Sequence, residues 1–223
     1  CALNNAKGFT EQRGKKRMTV PEGSNSNYCT AGLKAKRGGA GILDSWPVKL
    51  SKNDKKQIIK FMNVCQDVAD GFIPSEHLRG IQIAKCILQW QQMGGCGKRS
   101  VWASFSDALN TFLSAHTDDD FYYSLLTLAS AHALRKNIDR YKLSADVSNY
   151  FVFPEQGIAV AMRPGDMLIF NPKYHHCLSS RASEYANKDV FSLSLYLKTA
   201  IVGKHDNSIP LTSIESELLR QDN

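Results

Sequence analysis

The hydrophobic pattern changes character part-way along the chain. Residues 1–40 show no period and are rich in Gly, Ser, Asn and Lys, so they read as loop or as a chain without fixed structure. Over residues 51–71 the apolar positions Ile58, Ile59, Phe61, Met62, Cys65, Val68 and Ala69 recur near helical spacing. Ser51 is placed to cap that helix and Gly71 to end it. "SEHLRGIQIAKCILQWQQM", residues 75–93, repeats the pattern, with Ser75 as its cap and Gly94-Gly95 as its stop. Short alternating or apolar runs follow, split by Gly, Pro, Asn and Asp: "NTFLSA", "FYYSLLTLASA", "YFVFP", "GIAVAMRP", "GDMLIFNP" and "VFSLSLYLKTAIVG". These predict antiparallel strands joined by turns. Helices come first and strands second, which predicts an α+β domain with N-terminal helices packed on one side of a β-sandwich or jelly roll. The boundaries that follow are a basic arm over 1–48 and one domain over 49–223. That domain divides into a helical layer (49–98), a β core (99–203) and a tail (204–223) whose "ESELLRQDN" adds a short helix.

Composition narrows the setting. No apolar run approaches the ~20 residues that a membrane-spanning helix needs. The first residues carry basic charge without an apolar core behind it, unlike a secretory signal. The chain begins at Cys1 rather than Met, which suggests a processed product or a piece of a longer protein. The six cysteines (Cys1, Cys29, Cys65, Cys86, Cys96, Cys177) form no C-x-x-C pair and no disulfide framework. They indicate a reducing, intracellular compartment, the nucleus included. The net charge is +7, and residues 1–40 hold eight Lys or Arg against Glu11 and Glu22. Such an arm suits a polyanion such as nucleic acid, with a solvated leader as the plainer alternative.

Two segments carry the candidate chemistry. In "SAHTDDDFYY", His116 and Asp118 would project to one side of an extended chain and could grip one metal ion. Alone, an H-x-D pair is more often a surface pair. Asp119 and Asp120 read as a solvated turn, with Asp120 also a candidate substrate contact. Tyr123 belongs either to strand packing or to the substrate. In "RPGDMLIFNPKYHHCLSSR" a turn, a short strand and a second turn deliver His175 and His176. Two histidines and an aspartate make the facial set that leaves three positions open on Fe(II). Zinc competes on ligand type, although it more often takes three histidines or a thiolate.

"HTD" followed by "PGDMLIFNPKYHHCLSSR" resembles the Fe(II)/2-oxoglutarate dioxygenases of the double-stranded β-helix (jelly-roll, cupin-like) fold, over about residues 100–200. Within that superfamily it looks most like the TET/JBP-type nucleic-acid oxygenases and their algal and fungal relatives. The resemblance implies Fe(II), 2-oxoglutarate and O₂, with ascorbate as an alternative or a reductant. It implies His116, Asp118 and His176 as metal ligands, His176 standing about eleven positions after Gly165 and followed by Leu178. His175 is the alternative ligand, or a substrate contact facing the other way. The family also supplies a basic residue for the distal carboxylate of 2-oxoglutarate. Here Arg181 has the better fork and Lys188 the better position, with Ser192 on the same strand. The implied reaction is C–H hydroxylation, on a modified (methylated) base such as 5-methylcytosine in DNA or RNA. The same chemistry on a protein side chain or metabolite, or a non-catalytic nucleic-acid-binding module, are the alternatives.

Overall fold

The computed structural model describes residues 28–35, 42–45, 51–74, 102, 104–121, 123–130 and 146–201. The chain forms two compact units. The first holds residues 28–30 and 106–118 and, between 125 and 194, the described parts. The second holds the described parts of 31–105, with 119–124 and 195–201.

Ten strands are described. They are β1 (Tyr28–Ala35), β2 (Ile42–Ser45), β3 (Ser104–Leu109), β4 (Leu113–His116), β5 (Ser124–Ala129), β6 (Asn149–Phe153), β7 (Ile158–Met162), β8 (Met167–Phe170), β9 (His176–Leu178) and β10 (Phe191–Tyr196). In the first unit β3, β10, β5 and β8 lie side by side in that order, and β4, β9, β6 and β7 form a second sheet. Counting β3 as the first of eight strands, the orders are 1-8-3-6 and 2-7-4-5. Apart from the β6–β7 hairpin, successive strands therefore alternate between two sheets, which makes this unit a double-stranded β-helix of the jelly-roll class. The expected β core is present, and each of the six runs singled out in the sequence supplies a strand.

Period-two alternation sends one set of side chains inward. Leu126, Leu128, Phe151, Met162, Phe170, Leu178, Tyr185 and Val190 form one buried cluster, with Leu113, Phe153, Val160 and Leu168 against it. Burying each large member stabilises the fold by about 1.5–3 kcal/mol before entropic costs. Turn chemistry fixes where the strands begin. Pro164 and Gly165 occupy the centre of a turn closed by the Asp166 N–H to the Arg163 carbonyl at 3.0 Å. Gly165 has φ 103°, as the third position of a type II turn requires. The Asp166 carboxylate accepts the Arg163 N–H at 2.9 Å, so "RPGD" closes on itself and starts β8 in register.

In the second unit β1 pairs antiparallel with β2 in the register Gly32↔Ser45 to Ala35↔Ile42. The Ser104 hydroxyl donates to the Leu33 carbonyl at 2.6 Å. Helix α1 (Lys52–Ala69) has Ser51 as its N-cap, accepting the Asp54 N–H at 3.1 Å. Its buried face is Met62, Cys65, Gln66 and Ala69, at the spacing of one helical stripe. Val68, expected on that stripe, is exposed.

Three expectations need correction. Residues 28–35 and 42–45 are strands, not loop: Ala31 and Leu33 are buried, and small residues with one Gly gave no apolar run to read. β3 was also not foreseen, because "SFSDAL" buries polar Ser104 and Asp107 beside Phe105. Asp119 and Asp120 are not one solvated turn. Asp119 is exposed, but Asp120 forms a β-bridge with Lys198 and is 2 % exposed. Its carboxylate meets the Lys198 ammonium at 2.5 Å and accepts the Ser124 hydroxyl at 2.9 Å, which offsets the cost of burial. Trp102 is buried, its indole N–H donating to the Tyr123 carbonyl at 3.0 Å. Trp46, Trp90, the predicted helix over 75–93, the first 27 residues of the basic arm and the tail from residue 202 lie outside the described residues.

Candidate metal centre

His116 ends β4 and His176 opens β9, and the two are cross-strand partners. The register of this pair contains an irregularity. Leu113 pairs with Leu178 and His116 with His176, so three steps on β4 answer two on β9. That is a β-bulge, with one residue inserted into β4. Partners across a ladder share a face, and residues an odd number apart on a regular strand do not. The bulge resolves the conflict: Leu113 joins the apolar core while His116, three positions on, still faces His176.

Asp118 lies just past β4, and its backbone N–H donates to the Pro172 carbonyl at 2.9 Å. Strand parity, the reason first given for pairing Asp118 with His116, does not reach this far, because β4 stops at His116. What holds Asp118 is the turn ahead of β9. Residues 171–174 form that turn, the Tyr174 N–H donating to the Asn171 carbonyl at 3.3 Å. The Asn171 side-chain oxygen accepts the Lys173 N–H at 3.0 Å, an Asx turn around Pro172.

Both imidazoles are tied by Nδ1. His116 Nδ1 lies 2.7 Å from the Ser114 carbonyl, and His176 Nδ1 lies 2.9 Å from the Tyr174 carbonyl. A carbonyl only accepts, so Nδ1 carries the proton on each ring, and the neutral ring presents a lone pair at Nε2. Both Nε2 atoms point at Asp118. Oδ2 stands 3.4 Å from His176 Nε2 and 3.9 Å from His116 Nε2. One ligand atom from each residue lies within 4.8 Å of the others. Three electron-rich atoms brought this close repel unless a cation sits among them, and two imidazole nitrogens with one carboxylate oxygen match the facial donor set for Fe(II). The surroundings grade from dry to wet. His176 is 3 % exposed, stacked on Phe151 (centroids 5.3 Å apart, 16° between planes) and edge-on to Phe170 at 4.9 Å. Asp118 is 36 % exposed, so the set opens toward solvent on its side.

The other candidates are placed differently. His175 turns outward and meets the Glu155 carboxylate at 2.7 Å, with both side chains largely exposed. Cys177 is half-buried, and desolvation raises its thiol pKa. The Arg181 guanidinium donates to the Lys188 carbonyl at 2.6 Å, and the Lys188 ammonium lies over the Tyr185 ring, 5.3 Å from its centroid. Ser192 is buried, its hydroxyl 3.5 Å from the Ala108 carbonyl. These contacts join Arg181 to Lys188 and Ser192 to β3. Asp120 and Tyr123 belong to the second unit. The sequence reading missed Phe151 and Phe170, the carbonyls of Ser114, Pro172 and Tyr174, and Glu155. Only the "NP" turn signal at Asn171-Pro172 hinted at any of them.

The fold and this donor set define a jelly-roll protein with a candidate 2-His-1-carboxylate centre. No protein-family model matches the chain, and no curated protein matches it. Solved structures that resemble it include a 2OG-Fe(II) oxygenase-family oxidoreductase from Burkholderia pseudomallei. That match has 10% identity, covers 87% of this chain and 78% of the other, and has a TM-score of 0.45. A prolyl-4-hydroxylase from Pseudomonas putida matches at 15% identity over 43% of this chain and 50% of its own, TM-score 0.28. An RmlC-like cupin from Desulfovibrio desulfuricans matches at 10% identity over 41% and 70%, TM-score 0.26. With TM-scores this low, the fold assignment rests on the strand order.

Proposed function

We propose that the protein is an Fe(II)- and 2-oxoglutarate-dependent oxygenase, with His116, Asp118 and His176 as the metal ligands. The observation that carries this reading is the convergence of two Nε2 lone pairs and one carboxylate oxygen on a half-open site. Bound there, ferrous iron with 2-oxoglutarate and O₂ supplies the oxidising power for C–H hydroxylation. The chain's own residues hold and shield the centre. Ser114 and Tyr174 carbonyls fix the imidazole tautomers, the Pro172 carbonyl places Asp118, and Phe151 and Phe170 keep water from His176. The ligand set leaves the remaining positions for cosubstrate and oxygen. For the distal carboxylate of 2-oxoglutarate we assign Arg181 or Lys188, with Ser192. Val190 packs in the core, and strand alternation carries Ser192 to the same inward face.

The finer reading is a TET/JBP-like enzyme acting on a methylated base in DNA or RNA, in an intracellular setting. The basic residues before position 40 support it, since they suit phosphates. Anaerobic Fe(II) titration followed by O₂ tests both levels. Succinate release that depends on 2-oxoglutarate, lost in Asp118→Ala, is the expected result. Release greater with methylated DNA than with unmethylated DNA or peptides, and binding that weakens steeply with salt, are expected of the finer reading. Absence of Fe(II) binding overturns the first, and salt-indifferent binding the second.

A further inference from the structure

We propose that Asn171 is a positioning residue whose side chain sets two of the three candidate metal ligands through one turn, an inference that deepens the metal reading above. The Asn171 side-chain oxygen accepts the Lys173 N–H at 3.0 Å, and its backbone carbonyl accepts the Tyr174 N–H at 3.3 Å. Between these bonds Pro172, buried and with its φ fixed by the ring, sets the orientation of the peptide that follows. The two carbonyls this turn projects are those that meet the site. The Pro172 carbonyl takes the Asp118 N–H at 2.9 Å, and the Tyr174 carbonyl takes His176 Nδ1 at 2.9 Å. Asp118 and His176 are far apart in sequence, yet their mutual placement is decided within four residues. The third ligand, His116, takes its ring orientation from the Ser114 carbonyl on its own strand.

Asn171 touches no reacting group; it acts through the turn. Without the side-chain acceptor the Asx turn opens, both carbonyls move together, and Oδ2 and Nε2 lose alignment while the β-helix core stays intact. Asp at this position keeps an oxygen acceptor of the same reach, and Ser keeps a shorter one.

The test uses the 223-residue chain, Co(II) as the probe, and amide exchange of Asp118 in the metal-free protein as a second readout. Asn171→Ala is expected to weaken Co(II) binding about tenfold, the lower end for loss of an outer-shell partner. It is also expected to speed exchange at the Asp118 amide. Asn171→Asp is expected to restore both. Wild-type values of both quantities in Asn171→Ala overturn the proposal, as does failure of Asn171→Asp to restore the slow exchange. If Asn171→Ala does not fold, Asn171→Ser takes its place, with weakening between the two expected and wild-type behaviour overturning the idea. A wild-type chain that binds no Co(II) sinks the metal reading instead. The Asp118 exchange rate then decides the role of Asn171 alone.

Discussion

Adjacent histidines receive opposite fates here, and the cause is strand alternation reinforced by local partners. His176 points inward between Phe151 and Phe170, whereas His175 points out to Glu155. His176→Ala is expected to abolish Co(II) binding and His175→Ala to leave it within about threefold, a difference well inside what an outer-shell change produces. Absorption titration of the two variants checks this. Phe151 has two tasks, core packing and ring stacking. Phe151→Ala is expected to cost about 3–5 kcal/mol in urea unfolding, as large-to-small core changes do. At this scale the sequence was informative about identities and poor about reasons. The H-x-D and the later histidine could be picked out, because metal chemistry needs those residue types. The carbonyls that orient them could not, since every residue has one and only the folded turn says which face the site.

The elements were legible where side chains alternate and illegible where they do not. "YFVFP" and "GIAVAMRP" announce β6 and β7, which pair in the register Asn149↔Met162 to Phe153↔Ile158. β1 and β3 hide, the first in small residues and the second behind a buried aspartate. The span of helix α1 was legible, cap included, because helical period and an N-cap serine are local signals, although Val68 falls outside its buried face. It carries a prediction of its own. Cys65 is buried on its inner face, and desolvation pushes the thiol from 9.0 up to about 12. The thiolate is thus favoured in the unfolded chain, so stability from this group is complete below pH 9 and is lost as pH rises toward 12. Urea midpoints are expected to fall between pH 8 and pH 10.5 by more in the wild type than in Cys65→Ala. Equal falls would mean that Cys65 does not titrate in this way.

Across the whole molecule, the site depends on closure of the β-helix. His116 and His176 stand sixty positions apart and meet only because the second and seventh of its eight strands are neighbours. A ligand that binds only the closed form stabilises it by mass action, by about 2.7 kcal/mol at a hundredfold excess over Kd. Saturating Co(II) is therefore expected to raise the thermal midpoint of the wild type and leave that of Asp118→Ala unmoved, as calorimetry can read.

The bulge in β4 has an arithmetical consequence. The bulge absorbs the odd residue between Leu113 and His116, so the centre is encoded by the register of the two strands as firmly as by the residues themselves. Deleting exposed Ala115 keeps His116, Asp118 and His176, and any search for the motif would still find it. The deletion leaves two steps on β4 against two on β9, so a regular ladder still sets Leu113 opposite Leu178 and His116 opposite His176. The shortened strand is therefore expected to bind Co(II) where His116→Ala does not, and loss of binding would mean that the bulge itself, rather than the register, aims His116.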